Sequence, residues 1–335
     1  MNANEKILLG HGGGGTLTGD LIKNIIMRHL DNPILARLDD GACLTIPEKD
    51  IVFTTDSYVI HPIFFPGGDI GKLAVCGTVN DLAMQGARPK YLSLGLILEE
   101  GLAIRDLERI IASAAGVLNE TGVQVVTGDT KVVERGSGWG IFINTSGIGV
   151  RVADVGVANA RPGDVVILTG TMGDHGTAVM SRREGLEFET EIVSDVASLC
   201  GLTEALLEAV PSTKVLRDPT RGGVAAAVCD IAAKSDVGIN LDEKSLPIKS
   251  AVRGACDLLG LDTLNVANEG KAIVVVAEAE ATRALEALRA HPLGREACVI
   301  GKVVEDHPGM VLLETLIGGE RIVDIPAGED LPRIC

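Results

Sequence analysis

The sequence predicts an α/β protein of two domains built on mixed α+β sheets. Apolar runs of strand period alternate with stretches of helical period along the chain. A turn sequence at about 150–162 separates two halves of similar style. At 335 residues the chain is long for one core and comfortable for two.

Residues 1–33 form a glycine-rich N-terminal segment. Ile7-Leu8-Leu9 reads as a short strand, Gly10-His11-Gly12-Gly13-Gly14-Gly15 as a loop, and Leu17 to Leu30 as a helix. The first domain spans 34–155, with strands expected at 34–38, 51–55, 90–97, 123–127 and 139–150 and helices at 69–86 and 104–121. Arg161-Pro162-Gly163-Asp164 is a turn that feeds Val165-Val166-Ile167-Leu168 and opens the second domain, 156–315. There the expected helices are 174–184, 194–209, 220–235, 249–259 and 279–290, and the expected strands 164–169, 237–241, 271–277, 296–304 and 310–314. Residues 316–335 complete the chain as a flexible C-terminal tail that ends on Cys335. Pro326, Gly328 and Pro332 oppose a closing helix or central strand, so the tail is expected to reach outward. From Pro326 it spans roughly 33 Å at about 3.3 Å per residue.

Composition narrows the function classes. The formal net charge of −16 disfavours a nucleic-acid backbone or an anionic membrane as the main partner, and one Trp, two Tyr and five Phe leave little for base stacking. The seven cysteines form no C-x-x-C pair, and the six internal ones read as small core residues of a reduced protein. Met1-Asn2-Ala3-Asn4-Glu5-Lys6 has no basic leader pattern, and no window reaches 18 uninterrupted apolar residues. The expectation is a soluble, cytoplasmic protein.

Four aspartates of the first half stand next to strand ends or tight turns: Asp40 in Leu38-Asp39-Asp40-Gly41-Ala42, Asp56 in Thr55-Asp56-Ser57, Asp81 in Asn80-Asp81-Leu82 and Asp129 in Gly128-Asp129-Thr130-Lys131. Any one of them is explained by a turn or a helix cap. Converging, they would repel one another unless cations sat among them, and Mg²⁺ takes one or two carboxylates together with phosphate oxygens. The set therefore predicts a magnesium–nucleotide site. Asp81 fits a turn least, because it is embedded in an apolar helical pattern. Lys131 is the kind of point charge found beside a transferring phosphoryl group, or else a solvated strand-end lysine.

In the second half, Asp218-Pro219-Thr220-Arg221-Gly222-Gly223 precedes a helix. Thr220 is a natural N-cap, and Gly222 and Gly223 let backbone N–H groups approach an anion. Simple capping explains the motif equally well. Asn268-Glu269-Gly270 is a turn that offers Glu269 as a proton acceptor. The glycine run at 10–15 matches a dinucleotide fingerprint only weakly, a lid over an anion fits as well and a plain flexible loop nearly so, and Gly67 to Lys72 fails as a P-loop because Pro66 holds the first glycine position and Leu73 follows the lysine. At the terminus, a prenylation signal is excluded because position 332 is proline where a cysteine is required. Two readings stay open, a plain ending of the chain and an accessible carrier thiol; for the latter, Arg333 favours the thiolate and the α-carboxylate opposes it.

Together these motifs resemble the PurM-type ATP-binding superfamily, which includes aminoimidazole ribonucleotide synthetase, selenophosphate synthetase and thiamine-monophosphate kinase. The match runs through Leu38-Asp39-Asp40-Gly41-Ala42, Thr55-Asp56-Ser57, Val79 to Ala87, Gly128-Asp129-Thr130-Lys131, Thr220-Arg221-Gly222-Gly223 and Asn268-Glu269-Gly270. Within it, the glycine-rich start with His11 and the ending Pro332-Arg333-Ile334-Cys335 resemble the HypE family of hydrogenase maturation factors.

That resemblance implies a PurM-like two-domain fold, a homodimer whose N-terminal sheets join in a barrel, and ATP and Mg²⁺ as cofactors. Asp40, Asp56, Asp81 and Asp129 would bind metal, and Asn80, Thr130, Thr220, Arg221, Gly222 and Gly223 would join them around the nucleotide. Cys335 would receive a carbamoyl group from the carbamoyltransferase HypF. ATP-dependent dehydration, with Lys131 at the carbamoyl or phosphoryl oxygen and Glu269 as proton acceptor, would give a thiocyanate for the HypC–HypD complex. Two rival readings are a PurM-type enzyme acting on a small diffusible substrate and a non-catalytic scaffold that uses the tail. A nicotinamide enzyme is a distant third.

Overall fold

The computed structural model describes residues 6–12, 16–38, 41–47, 50–185 and 192–325. Asp40, residues 13–15 of the glycine run and Cys335 lie outside them.

The chain enters through a bridge between Lys6 and Ala103, a 3-10 turn at Leu9–Gly12 and a helical stretch. That stretch comprises α1 (Thr16–Leu21), a π turn (Ile22–Ile26) and α2 (Met27–Leu30). The first sheet follows: β1 (Ile51–Tyr58), then the short pair β2 (Phe64–Phe65) and β3 (Gly68–Asp69), helix α3 (Ile70–Met84) and β4 (Ala87–Glu99). Helix α4 (Ile104–Thr121), β5 (Gln124–Val133) and β6 (Ile141–Arg151) complete it, with strand order β1-β6-β4-β5.

Helix α4 forms because Ile104, Leu107, Ile110, Ile111, Ala114, Ala115 and Leu118 recur at helical spacing on one buried face. It stops at Gly122, whose φ of 68° suits glycine. Helix α3 is different: it is buried nearly all round, between the sheet and α4. Asp69 caps it by accepting from the Gly71 and Lys72 N–H groups at 2.8 and 3.1 Å. Gly71 lets α4 come close, since a Cβ there would lie 2.2 Å from the Ile110 carbonyl oxygen. On β1, Thr54, Asp56 and Tyr58 face α3, whereas Ile51, Phe53, Thr55 and Ser57 point to the uncovered face. Phe53 is 65% exposed there.

The second sheet is mixed, with order β13-β12-β9-β11-β7-β10-β8. Its strands are β7 (Asp164–Leu168), β8 (Val215–Arg217), β9 (Gly238–Asp242), β10 (Ile273–Ala277), β11 (Cys298–Val304), β12 (Val311–Glu314) and β13 (Glu320–Val323). The helices are α5 (Asp174–Glu184), α6 (Cys200–Ala209), α7 (Gly223–Ser235), α8 (Ser250–Leu259) and α9 (Ala281–Ala290). Val166, Leu168, Ile273 and Val275 pack with α7 on one face; Val165, Ile167, Val274 and Val276 pack with α6 and α9 on the other. Burial on both faces explains why these strands read as unbroken apolar runs. Ala83 and Met84 at the end of α3 join the α6–α9 core, so the two domains share packing.

Several sequence expectations change. The expected strand 34–38 is a 3-10 turn at Leu35–Arg37, because Asn32 Oδ1 accepts from the Ile34 and Leu35 N–H groups at 3.1 and 3.0 Å. Ile7-Leu8-Leu9 makes no ladder beyond the single bridge at Lys6. The helix expected at 194–209 begins only at Cys200. Strand β13 pairs with β12 inside the segment expected to be tail, so ordered structure continues through Val323. Helix α7 starts at Gly223 with Gly222 as its cap residue, so Thr220 is not the N-cap.

Candidate active site

Helix α3 sends two consecutive side chains in different directions, as neighbours about 100° apart on a helix must go. Asp81 turns toward β1, where Thr54 Oγ1 donates to its Oδ2 at 3.1 Å. Asn80 turns toward the second domain. Its Nδ2 donates to the Ala197 and Glu269 carbonyls at 3.0 and 3.4 Å, and its Oδ1 accepts from Leu199 N at 2.7 Å. All three of these bonds go to backbone, and the residue is buried.

Asp56 projects from β1 on the same face as Thr54. Its Oδ1 accepts from Ser57 N at 2.7 Å and lies 3.8 Å from the Arg221 guanidinium. Asp218 sits in the loop between β8 and α7, and Glu269 in the turn before β10, only 4% exposed. These carboxylates share one electrostatic field. Burial, then repulsion from Asp218 and Asp56, lifts Asp81 to about 7, against the opposing Thr54 hydrogen bond. Burial raises Asp218, with Arg217 opposing and Asp56 adding. Burial drives Glu269 well above the usual carboxylate range, and Asp218, Asp195, Asp56 and Asp81 push it further. A cluster in this condition favours protons or an incoming cation, and Glu269 holds a proton more tightly than a free carboxylate does.

Asp129, Thr130 and Lys131 lie elsewhere. They occupy β5, where Asp129 Oδ1 accepts from Thr130 N at 2.9 Å and from Lys131 Nζ at 3.1 Å, both side chains being exposed. The register aligns Asp129 with Gly95, Gly95 with Asn144, and Asn144 with Ser57. Asp129 thus stands on the row next to Asp56 but three strands away, about 14 Å at about 4.8 Å per strand. Among the described residues of one chain, Asp56 and Asp81 therefore come together and Asp129 does not, because β1 and β5 are opposite edges of the sheet; Asp40 lies outside the described residues. Among the described residues, no group of three or more His, Cys, Asp or Glu is disposed to hold a metal ion. Asp129, Thr130 and Lys131 instead border an apolar groove of about 230 Å³, whose walls include Ile22, Ile26, Met27, Leu94 and Leu96.

The glycines of the second-half motif serve the backbone. Gly222 and Gly223 have φ of 72° and 59°, Gly223 N donates to Thr220 O at 3.0 Å, and a Cβ on Gly223 would lie 2.4 Å from the Leu264 carbonyl oxygen. The motif's contribution to the carboxylate cluster is Arg221, against Asp56, together with Asp218. Asp218 was visible in sequence only as a turn residue before proline. Arg217, Asp195 and Lys271 carried no signal, since what matters is their tertiary neighbours.

Comparison with known proteins gives the lineage. Residues 38–151 match the AIR synthase related protein N-terminal domain, and residues 161–313 match the corresponding C-terminal domain. The carbamoyl dehydratase HypE of Cupriavidus necator is 51% identical over 98% of this chain and 95% of its own length. The chain belongs to the HypE family. The HypE of Azotobacter vinelandii is 52% identical over 99% of this chain and 98% of its own. A crystal structure of a HypE in complex with ATP superposes with a TM-score of 0.95 at 47% identity, covering 98% of this chain and 99% of that one. HypE in a HypE–HypF complex gives 0.80 at 50% identity, over 91% and 99% of the two chains. A thiamine monophosphate kinase from Aquifex aeolicus, at 19% identity and a TM-score of 0.61 over 92% and 99%, shares the fold.

Proposed function

We propose that this chain is an ATP-dependent carbamoyl dehydratase of [NiFe]-hydrogenase maturation, and that its substrate is an S-carbamoyl group on its own Cys335. The observation that carries the reading is Glu269, a buried carboxyl of raised proton affinity facing the Asp56–Asp81–Asp218 cluster. The HypE relatives, named carbamoyl dehydratases, and the neighbour that binds ATP support it.

The chemistry asks for these groups. An amide oxygen leaves poorly as hydroxide. Transfer of the γ-phosphoryl group to that oxygen makes it a good leaving group, and loss of the two N–H protons leaves S–C≡N, with ADP and phosphate as the other products. Glu269 accepts a proton from the nitrogen, and Lys131 balances charge at the carbamoyl or phosphoryl oxygen. Asp56 and Asp81, with Asp40 and Asp129, are the donors suited to Mg²⁺, a hard cation that would neutralise triphosphate charge; the unbalanced carboxylates fit that role. Arg221, 3.8 Å from Asp56, and the Thr220-to-Gly223 turn would meet the phosphates. The apolar groove next to Thr130 is suited to the adenine base.

The protein acts as a homodimer in this reading. The exposed Phe53 face and the two free edges of the first sheet support a barrel shared between two copies. Such a barrel would bring β5 of one copy, with Asp129 and Lys131, toward β1 of the other, with Asp56. HypF, seen with a HypE in the related complex, is the carbamoyl donor, and HypC–HypD the acceptor of the cyano group. Domains of 34–155 and 156–315, a C-terminal segment carrying Cys335 and a cytoplasmic setting belong to the same reading, with neither nucleic acid nor membrane as partner. Among the described residues, no helix is long and apolar enough to cross a membrane.

Intact-mass spectrometry of the C-terminal peptide tests the proposal. After incubation with the carbamoylating partner, Cys335 gains a carbamoyl group; after Mg–ATP, the peptide loses the mass of one water. An unmodified Cys335 would overturn the assignment.

A further inference from the structure

Residues 194–199 cross between the domains without helix or strand, and their polar groups are satisfied from both sides. Ser194 N donates to the Pro66 carbonyl at 2.9 Å, and Leu199 N to Asn80 Oδ1 at 2.7 Å, both in the first domain. From the second domain, the Glu269 carbonyl accepts from Ala197 N at 3.4 Å. At the centre of this strap is Asp195, whose side chain is 3% exposed. Its two oxygens each take one N–H of the turn: Glu269 N at 3.2 Å and Gly270 N at 3.1 Å. Lys271 Nζ lies 3.4 Å from the same carboxylate and is itself 10% exposed. The contact is tight enough that a Cβ on Gly270 would lie 1.9 Å from the Asp195 carbonyl oxygen.

We infer that Asp195, balanced by Lys271, is a positioning residue for Glu269, and that Asn80 ties this position to the helix that carries Asp81. The inference rests on the reading of Glu269 as proton acceptor. A buried ion pair is weak as a source of stability, because desolvation offsets much of its attraction. Geometry is what it supplies. Two hydrogen bonds from consecutive amides to one carboxylate fix the peptide planes on either side of Glu269, and with them the direction of its Cα–Cβ bond. Asn80 Nδ2 donates to the Glu269 carbonyl at 3.4 Å and adjoins Asp81 in sequence, which ties the turn to the helix that carries the nucleotide carboxylate.

The test uses the full chain carrying carbamoylated Cys335, with the single-turnover rate of water loss measured by intact mass as a function of Mg–ATP. In Asp195→Asn, one oxygen is replaced by an amide N–H₂ that cannot accept, so one of the two hydrogen bonds is lost. The maximal rate is expected to fall about 10- to 100-fold, as for a base displaced by a fraction of an ångström, with half-saturating ATP within about twofold of the parent. A parental rate, or a parallel loss of rate and ATP saturation, overturns the inference. Glu269→Gln run alongside separates the two readings. If it keeps the parental rate, the proton-acceptor reading falls and this inference with it; if it is inactive while Asp195→Asn is normal, only the positioning role falls. Should Asp195→Asn fail to fold, Lys271→Met replaces it: a fall of about threefold or more at unchanged ATP saturation supports the role, and a parental rate refutes it.

Discussion

Replacing Asp81 by asparagine should stabilise the nucleotide-free protein, and by more at high pH than at low. The carboxyl sits at about 7 in the folded chain against an ordinary 3.8. A group that binds its proton more tightly when folded supports the fold at low pH and withdraws that support as pH rises from the unfolded value through the folded one. The ionisation penalty is therefore about 2 kcal/mol near pH 5 and about 4 kcal/mol near pH 8, taken as upper values because solvent reaches this half-buried side chain. Asp81→Asn removes the penalty while keeping an oxygen for the Thr54 hydroxyl. Urea denaturation followed by circular dichroism, in chelator and without nucleotide, should show a stability gain that grows between those two pH values. A gain that is flat with pH, or a loss near pH 8, would refute the argument that burial and the Asp218 and Asp56 charges hold this carboxyl up. Adding Mg–ATP near pH 8 should stabilise the parent and erase most of the variant's advantage.

Three further outcomes can be checked. Gly270→Ala must move the turn off the strap, so it should cost at least about 2 kcal/mol in urea titration, as overpacking against backbone does; a neutral result would contradict the 1.9 Å approach. Phe53→Lys, on the uncovered face of the first sheet, should produce a monomer by sedimentation with little loss of helical signal, and an unchanged dimer would remove that face from the interface. If each site takes β1 from one copy and β5 from the other, Asp56→Asn and Lys131→Ala should each be inactive alone, yet regain about a quarter of parental turnover when refolded as a mixture. No recovery would confine the site to a single chain.

The local patterns were legible because they are local. The apolar face of α4 follows from spacing alone, the extent of α5 matches the expected 174–184, and the unbroken apolar runs of β7 and β10 signal a doubly covered sheet before any partner is known. Asn268-Glu269-Gly270 and Asn80-Asp81 were readable as chemistry-bearing turns and helix residues. What they do to each other was not, because Asn80 and Glu269 meet only when the domains pack. Val196, Leu199, Leu202 and Leu206 have nearly helical spacing, which fits the helix expected from 194. The backbone of the strap 194–199 is instead taken by Pro66, Asn80 and Glu269, contacts no window of sequence contains. Sheet order is hidden for the same reason: nothing in the four aspartate motifs tells that β1 and β5 are opposite edges.

The strap has a consequence for modularity. Two folded domains joined by a turn at 152–162 look exchangeable between relatives, one half at a time. Residues 194–199 belong by sequence to the second half, yet they end their hydrogen bonds on Pro66 and Asn80 of the first. A chimera cut at the apparent boundary would inherit a strap fitted to one parent's α3 and a Glu269 turn registered against it. The functional seam of this molecule runs through the peptide groups around Asn80, Asp195 and Glu269, so substitutions there are free to drift only in concert.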